Sequence, residues 1–177
     1  MTFWVTLAAY ELVWFTAVIG AGHGLAWPGV AGTLLFAAWR LAGSRHRWTE
    51  LRLIAVALLL GFLLETLWVR LGLIRYAAPW PMQTHPAWLI ALWAAFALTV
   101  VPLFGYLHGR PWLAAALGAV GGPLAYLGAA RGWHAVFLPA TEWPSLLALA
   151  VGWGIALPCL TGLARHWLPP RAPSAAS

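Results

Sequence analysis

Two glutamates stand inside long apolar stretches of the sequence, where a charge is costly. Glu65 follows Leu63 and Leu64 in one stretch, and Glu11 interrupts another. A charged side chain at the centre of a membrane helix costs about 2.5–3.5 kcal/mol on insertion scales. We therefore take both acids as candidate catalytic residues, and we expect an Arg, a His or a hydroxyl from another helix beside Glu65. The alternative is that each carboxyl is a hydrogen-bonded fastener between helices.

The segment from Gly118 to Pro123 (GAVGGP) combines a packing motif with a helix-breaking residue. Gly118 and Gly122 form a GxxxG motif, which allows another helix to approach closely. Pro123 removes a backbone donor and predicts a kink, and a break at membrane depth can expose carbonyl groups to a cavity. Gly121, Gly122 and Pro123 are thus candidate substrate-binding residues. The alternative for the same segment is a tightly packed, kinked face.

Motifs for metals and cofactors are weak or missing. His23, His85 and His134 are predicted on one side of the membrane, but no HxxH or HxxxH spacing occurs, and we predict no metal site. Cys159 is the only cysteine and is expected to pack as a small apolar residue. The phosphate-loop and GxSxG motifs are absent, so we predict no cofactor and no ATP-driven transport by this chain alone. The other three histidines stand near arginines and are expected to face lipid phosphate: His46, His108 and His166.

The composition indicates that these residues are embedded in lipid. Hydrophobic residues make up 63% of the chain and charged residues 8%, whereas soluble domains carry about 25% charged residues. A helix needs about 20 residues to cross the hydrocarbon, so 177 residues allow six helices with short loops. We predict an all-α fold, a compact transmembrane bundle over residues 1–167, followed by a disordered cytoplasmic tail over 168–177. The net charge of +6 is explained by topology and anionic headgroups, and no nucleic acid partner is expected.

Apolar segments separated by Pro, Gly and Arg predict the helices. Most of the 14 tryptophans, Trp88 among them, fall near predicted helix ends, as in an interfacial belt. Trp93 and Trp153 lie deeper and are expected to pack between helices or to face lipid. Arg40, near the end of the second helix, is expected to snorkel to the interface. The six predicted helices cover residues 3–20, 27–41, 51–71, 87–106, 112–129 and 144–166.

The distribution of arginines predicts the orientation. Cytoplasmic loops carry an excess of basic residues, and one side of the predicted topology carries seven of the ten arginines. That side is predicted to be cytoplasmic, and an even number of helices places both termini there. The two sets are Arg40, Arg45, Arg47, Arg52, Arg110, Arg165 and Arg171 on the inner side, and Arg70, Arg75 and Arg131 on the outer side.

This orientation places Glu65 in the outer half of the bilayer and Glu11 nearer its middle. The two carboxyls differ in depth by about 9 Å at the rise of an α-helix, which disfavours a direct pair of acids. We instead expect a polar site that faces the outer leaflet. Besides the acids, its candidate substrate-binding side chains are His23, Arg70, Arg75 and His85.

Four stretches of the chain resemble an uncharacterised family of small proteobacterial inner-membrane proteins, catalogued as domain of unknown function 2878. GAVGGPLAY at residues 118–126 is the most specific part. The resemblance implies a multi-pass protein of the bacterial inner membrane in a lipid-related context, and it assigns no role to any residue. The stretches cover residues 14–29, 63–76, 86–110 and 111–132.

Three functions are compatible with these features. The first is that the protein handles or modifies a membrane lipid or isoprenoid at an outer-leaflet-side polar site centred on Glu65. The second is a small transporter or permease subunit, because proton-linked carriers also use intramembrane carboxylates. The third is a non-catalytic scaffold or accessory subunit with a membrane protein partner or as a homo-oligomer. Whether the chain is an enzyme stays open among them.

Overall fold

In the computed structural model, which describes residues 3–169, six helices run back and forth and two short strands pair beside them. This confirms the predicted all-α bundle of six helices, while the predicted tail lies almost wholly outside the described residues. The helices are α1 (Phe3–Gly22), α2 (Trp27–Gly43), α3 (Arg47–Arg70), α4 (Ala87–Leu103), α5 (Pro111–Trp133) and α6 (Trp143–Trp167), and the antiparallel strands are β1 (Arg75–Tyr76) and β2 (Val136–Phe137).

The lengths and surfaces of the helices are those of a membrane protein. α1, α3, α5 and α6 are each long and apolar enough to cross a membrane. Large apolar side chains are exposed on several helices, including Leu12, Leu35 and Leu124, which are 68%, 73% and 61% exposed. Such a surface is stable only where hydrocarbon replaces water around it.

α4 is the central helix of the bundle. It contacts α1, α2, α3 and α6, and ten of its 17 residues are buried. A helix that is apolar on every side is typically one that is surrounded by other helices. α4 ends at Leu103 instead of the predicted residue 106, because Gly105, a poor helix former, begins a 3-10 turn over Gly105–Leu107.

The loops gather at two ends of the bundle. At one end, which we call the strand end, Ser145 Oγ donates a hydrogen bond to the Leu73 carbonyl oxygen at 2.6 Å, and the backbone N–H of Ala77 donates to Ala135 at 2.9 Å. The loops over residues 23–26, 71–86 and 134–142 all lie at this end. At the opposite end, Thr49 Oγ1 donates to the Trp167 carbonyl oxygen at 3.2 Å.

Two side chains that were predicted at the membrane interface are buried instead. Trp88 is 1% exposed, because the loop after β1 folds over the end of α4 and its Ala77 carbonyl accepts the indole N–H at 3.0 Å. Arg40 is 5% exposed and does not snorkel, because Glu50 in the first turn of α3 lies opposite it and forms an ion pair. Position near a helix end therefore did not imply contact with headgroups.

α5 and α6 pack in close contact at the glycine motif. A Cβ atom built on Gly118 would lie 2.2 Å from the carbonyl oxygen of Trp153, and one on Gly122 would lie 2.3 Å from Cδ1 of the same residue. No side chain fits at either position unless the helices separate. The close approach expected from the GxxxG motif is thus confirmed.

We expect Gly118→Ala to lower the free energy of unfolding by about 1–3 kcal/mol, the usual cost of overpacking, because the new methyl group meets backbone. The matched control is Gly121→Ala on the same helix, where nothing lies within 4 Å of the added Cβ and alanine favours helix. The free energy of unfolding of both variants is measured in mixed micelles by titration with a denaturing detergent. Equal effects of the two substitutions would contradict the close packing.

Candidate functional site

Glu65 is fully buried and accepts hydrogen bonds from three side chains. The hydroxyl of Tyr76 donates to Oε2, and the hydroxyl of Tyr126 donates to Oε1. The indole N–H of Trp93 also donates to Oε1, at 3.0 Å. The expected hydroxyl from another helix is therefore found in Tyr126 on α5. Three donors on two oxygens offset part of the cost of removing a carboxyl group from water.

A glycine and a ring contact hold Trp93 in place. Gly61, one turn before Glu65, makes room for the Trp93 ring, because a Cβ there would lie 2.6 Å from Trp93 Cγ. The Trp93 ring in turn stacks on Trp153, with centroids 4.5 Å apart and planes at 9°. The site is thus built into the contacts among α3, α4 and α6.

Tyr76 reaches the site from outside the helices. Its backbone pairs with Val136 across the two strands, and its ring meets Trp88 edge-on at 6.0 Å. Burial, and then the nearby Glu65 carboxylate, raise the pKa of the Tyr76 phenol well above its usual value. The hydroxyl therefore stays protonated and acts as a donor.

A long apolar cleft of about 340 Å³ adjoins this group. One wall is α1, through Tyr10, Trp14 and Val18, and the facing wall is the glycine-rich side of α5. Trp88 and Phe104, at the two ends of α4, both line it. Their 16-residue separation corresponds to roughly 24 Å along a helix. The cleft thus runs along most of the length of α4, and its volume is within the range of small-molecule sites.

Two features of the cleft indicate what it can hold. Leu117 and Gly121 line it and are also exposed on the surface, so it opens sideways out of the bundle. None of the described residues that line it carries a charge.

Trp93 and Tyr126 line the cleft and also donate to Glu65. The carboxylate lies behind the wall and fixes two of the cleft's polar side chains.

The other ionisable candidates lie away from Glu65. Glu11 is exposed on the outer face of α1. His23 is exposed, with its Nδ1 2.8 Å from the Ile19 carbonyl oxygen. Arg70 and Arg75 are exposed at the strand end. The hydrogen-bond partners of Glu65 are aromatic residues instead. A catalytic or binding role for Glu11, His23, Arg70 and Arg75 stays a prediction.

The remaining candidates divide between the cleft and its surroundings. Gly121 and Gly122 both line the cleft. Pro123 is partly buried inside α5 and is not among the lining residues. His85 is half-buried, with its ring 4.5 Å from that of Phe62. Over residues 3–169, no three His, Cys, Asp or Glu side chains form a group that could hold a metal ion.

The sequence analysis did not predict three residues of the site: Tyr76, Trp93 and Tyr126. Tyr126 ends the GAVGGPLAY stretch, so its place in the most specific segment was an available signal. Trp93 was recognised as deep in the membrane, and a deep indole N–H needs an acceptor. Tyr76 lies in a loop without periodicity, and nothing in the sequence near it pointed to Glu65.

Comparison with known proteins gives a family and little else. A family model described as protein of unknown function (DUF2878) matches residues 3–159, which is most of the chain. No curated protein and no solved structure matches it.

Proposed function

The chain belongs to the DUF2878 family of proteins of unknown function, and we propose that it binds a membrane lipid or isoprenoid in the cleft between α1 and α5. One observation carries the proposal: Trp93 and Tyr126 line the cleft and are both fixed by the buried Glu65 carboxylate. A polar group that is preorganised beside an apolar cleft suits a ligand with a long chain and one polar end.

The shape of the cleft supports a ligand that comes from the bilayer. Its length of roughly 24 Å along α4 is close to the thickness of the hydrocarbon, about 30 Å. Its side opening at Leu117 and Gly121 faces the space that acyl chains occupy. An apolar, uncharged lining offers a hydrocarbon chain good contacts and offers an ion no opposite charge.

The polar end of the ligand is expected near Tyr126. A tyrosine hydroxyl has one proton and can also accept hydrogen bonds. Because the Tyr126 hydroxyl donates its hydrogen bond to Glu65, it can offer a ligand only an acceptor. The ligand that fits this end carries a hydroxyl or another donor group. Glu65 acts here as a positioning residue, since it reaches the cleft only through Trp93 and Tyr126.

The arginines support an orientation with the strand end on the outer side of the membrane. Basic residues favour the cytoplasmic side, and of the arginines in residues 3–169 only Arg70, Arg75 and Arg131 lie at the strand end. The proposed location is the bacterial inner membrane, with both termini in the cytoplasm. In this orientation Glu65 lies in the outer half of the bilayer. The described arginines at the opposite end are Arg40, Arg45, Arg47, Arg52, Arg110 and Arg165.

Gly121→Leu is expected to reduce the lipid that co-purifies with the protein roughly tenfold, because the new side chain fills the cleft. Nothing lies within 4 Å of a Cβ at this position, so the fold should tolerate it. Gly132→Leu is the matched control: it lies on the same helix in open space and does not line the cleft.

Mass spectrometry of lipids extracted from the purified wild type and both variants tests the proposal. The species of interest is one that is enriched on the wild-type protein over the bulk membrane. Loss of that species from Gly121→Leu alone supports the proposal. Bound lipid with the composition of the bulk membrane in all three samples contradicts it, and so does equal loss from both variants.

A further inference from the structure

A second concave region lies at the end of the bundle opposite the strands. Its volume is about 970 Å³, and His46, His108, Arg165 and His166 line it together with small and apolar residues. We call these four residues the basic pocket. The three histidines were expected from the sequence to face lipid phosphate, and all three line this one depression.

Three separate segments of the chain converge to form the basic pocket. His46 lies in the turn between α2 and α3, His108 follows the 3-10 turn after α4, and Arg165 and His166 lie in the last turn of α6. A close contact joins two of these segments, because a Cβ on Gly109 would lie 3.2 Å from Nη1 of Arg165. The guanidinium is therefore held against the turn that carries His108.

The charge of the basic pocket is not cancelled by acids. The chain has four acidic residues, and none of them lines the pocket. Glu50, the acid at this end of the bundle, is buried in its ion pair with Arg40. The neighbours of His46 in the sequence, Arg45 and Arg47, add further positive charge. An anion is the ligand that such a field attracts.

We infer that the basic pocket binds a phosphate group at the membrane surface. A guanidinium offers several N–H donors that match the oxygens of a phosphate, and imidazoles supply further donors. Basic pockets among helix ends on the cytoplasmic side are also where anionic headgroups bind. The phosphate belongs either to a phospholipid headgroup or to a soluble molecule. The inference is independent of the cleft and of its ligand.

The test compares Arg165→Gln with Arg131→Gln in the purified full chain. Both arginines lie in the last turn of a long helix, but at opposite ends of the bundle. Binding of phosphatidylglycerol in mixed micelles and of inorganic phosphate at fixed ionic strength is titrated separately for each protein. We expect Arg165→Gln to weaken the binding about fivefold, the effect of one basic residue near an anionic surface. Arg131→Gln should leave it unchanged, and Arg165→Lys should stay within about twofold of the wild type.

The two probes separate the sources of the phosphate. Binding of phosphatidylglycerol that inorganic phosphate does not displace supports a lipid headgroup, and saturable binding of inorganic phosphate supports a soluble ligand. With either probe, the loss of binding must be specific to Arg165→Gln. The inference is overturned if neither probe binds the wild type, or if Arg131→Gln weakens binding as much as Arg165→Gln does.

Discussion

Glu65→Leu is expected to lower the free energy of unfolding by about 2–5 kcal/mol. The substitution leaves the donors of Tyr76, Trp93 and Tyr126 without their acceptor inside the bundle. Hydrogen bonds between membrane helices contribute about 0.6–1.7 kcal/mol each, and three of them give this range. The loss should be large because the donors come from α4, α5 and the strand end, so one carboxylate ties together segments that are distant in sequence.

Glu65→Gln is the matched control, and we expect it to stay within about 1 kcal/mol of the wild type. The amide oxygen can accept from Tyr126 and Trp93, and the amide nitrogen can donate to Tyr76, whose hydroxyl also accepts. Equilibrium unfolding in mixed micelles, followed by tryptophan fluorescence, measures both variants. If Glu65→Leu proves as stable as Glu65→Gln, the hydrogen bonds do not hold these segments together.

The same pair of variants separates stability from ligand binding. Glu65→Gln keeps the shape of the site and removes the carboxylate, so a loss of co-purifying lipid in this variant would reflect the orientation of Tyr126 and Trp93. Because the fold is expected to survive, that loss could not be attributed to unfolding. Glu65→Leu alone would not allow this distinction.

Hydropathy predicted that six helices exist, but it misplaced several of their ends for a physical reason. The apolar pattern marks the part of a helix that faces lipid, whereas backbone hydrogen bonds continue into the interface. α3 therefore begins at Arg47 instead of residue 51, and α5 runs past Arg131 to Trp133 instead of ending at 129. Arg131 is exposed there and pairs with Glu142 at 2.8 Å.

The short strands and the site depend on contacts that no local pattern encodes. β1 and β2 contribute two residues each, which is too few for an alternating pattern, and they pair across about sixty residues of chain. Tyr76 is held beside Glu65 by that pairing. The cost of a buried carboxyl predicted that Glu65 has a partner, but the identity of that partner required the three-dimensional arrangement.

The burial of Arg40 also could not be predicted from the local sequence. A long basic side chain near a helix end usually reaches the headgroups, and only the early start of α3 at Arg47 brings Glu50 opposite it. The side chains of this pair are 6% and 0% exposed. A buried ion pair is stabilised by its own attraction and penalised by the loss of water around both charges. The balance is tested by removing one charge and then both.

Glu50→Leu is expected to lower the free energy of unfolding by about 3–5 kcal/mol, because it leaves the Arg40 charge buried without the Glu50 carboxylate. The double substitution Arg40→Met/Glu50→Leu removes both charges, keeps the volume apolar and should stay within about 1 kcal/mol of the wild type. An exposed pair provides the control: Arg131 and Glu142 are 69% and 36% exposed, and Glu142→Gln should change stability by at most about 1 kcal/mol.

Unfolding in mixed micelles of the wild type, Arg40→Met, Glu50→Leu and the double variant completes a thermodynamic cycle. The expected result is strong coupling, in which the double variant is more stable than Glu50→Leu although it carries one more substitution. That outcome would mean that the pair fixes the position of α2 against α3 more than it adds to stability. Additive losses in the double variant would instead mean that the two side chains contribute independently and that their ion pair adds no interaction energy.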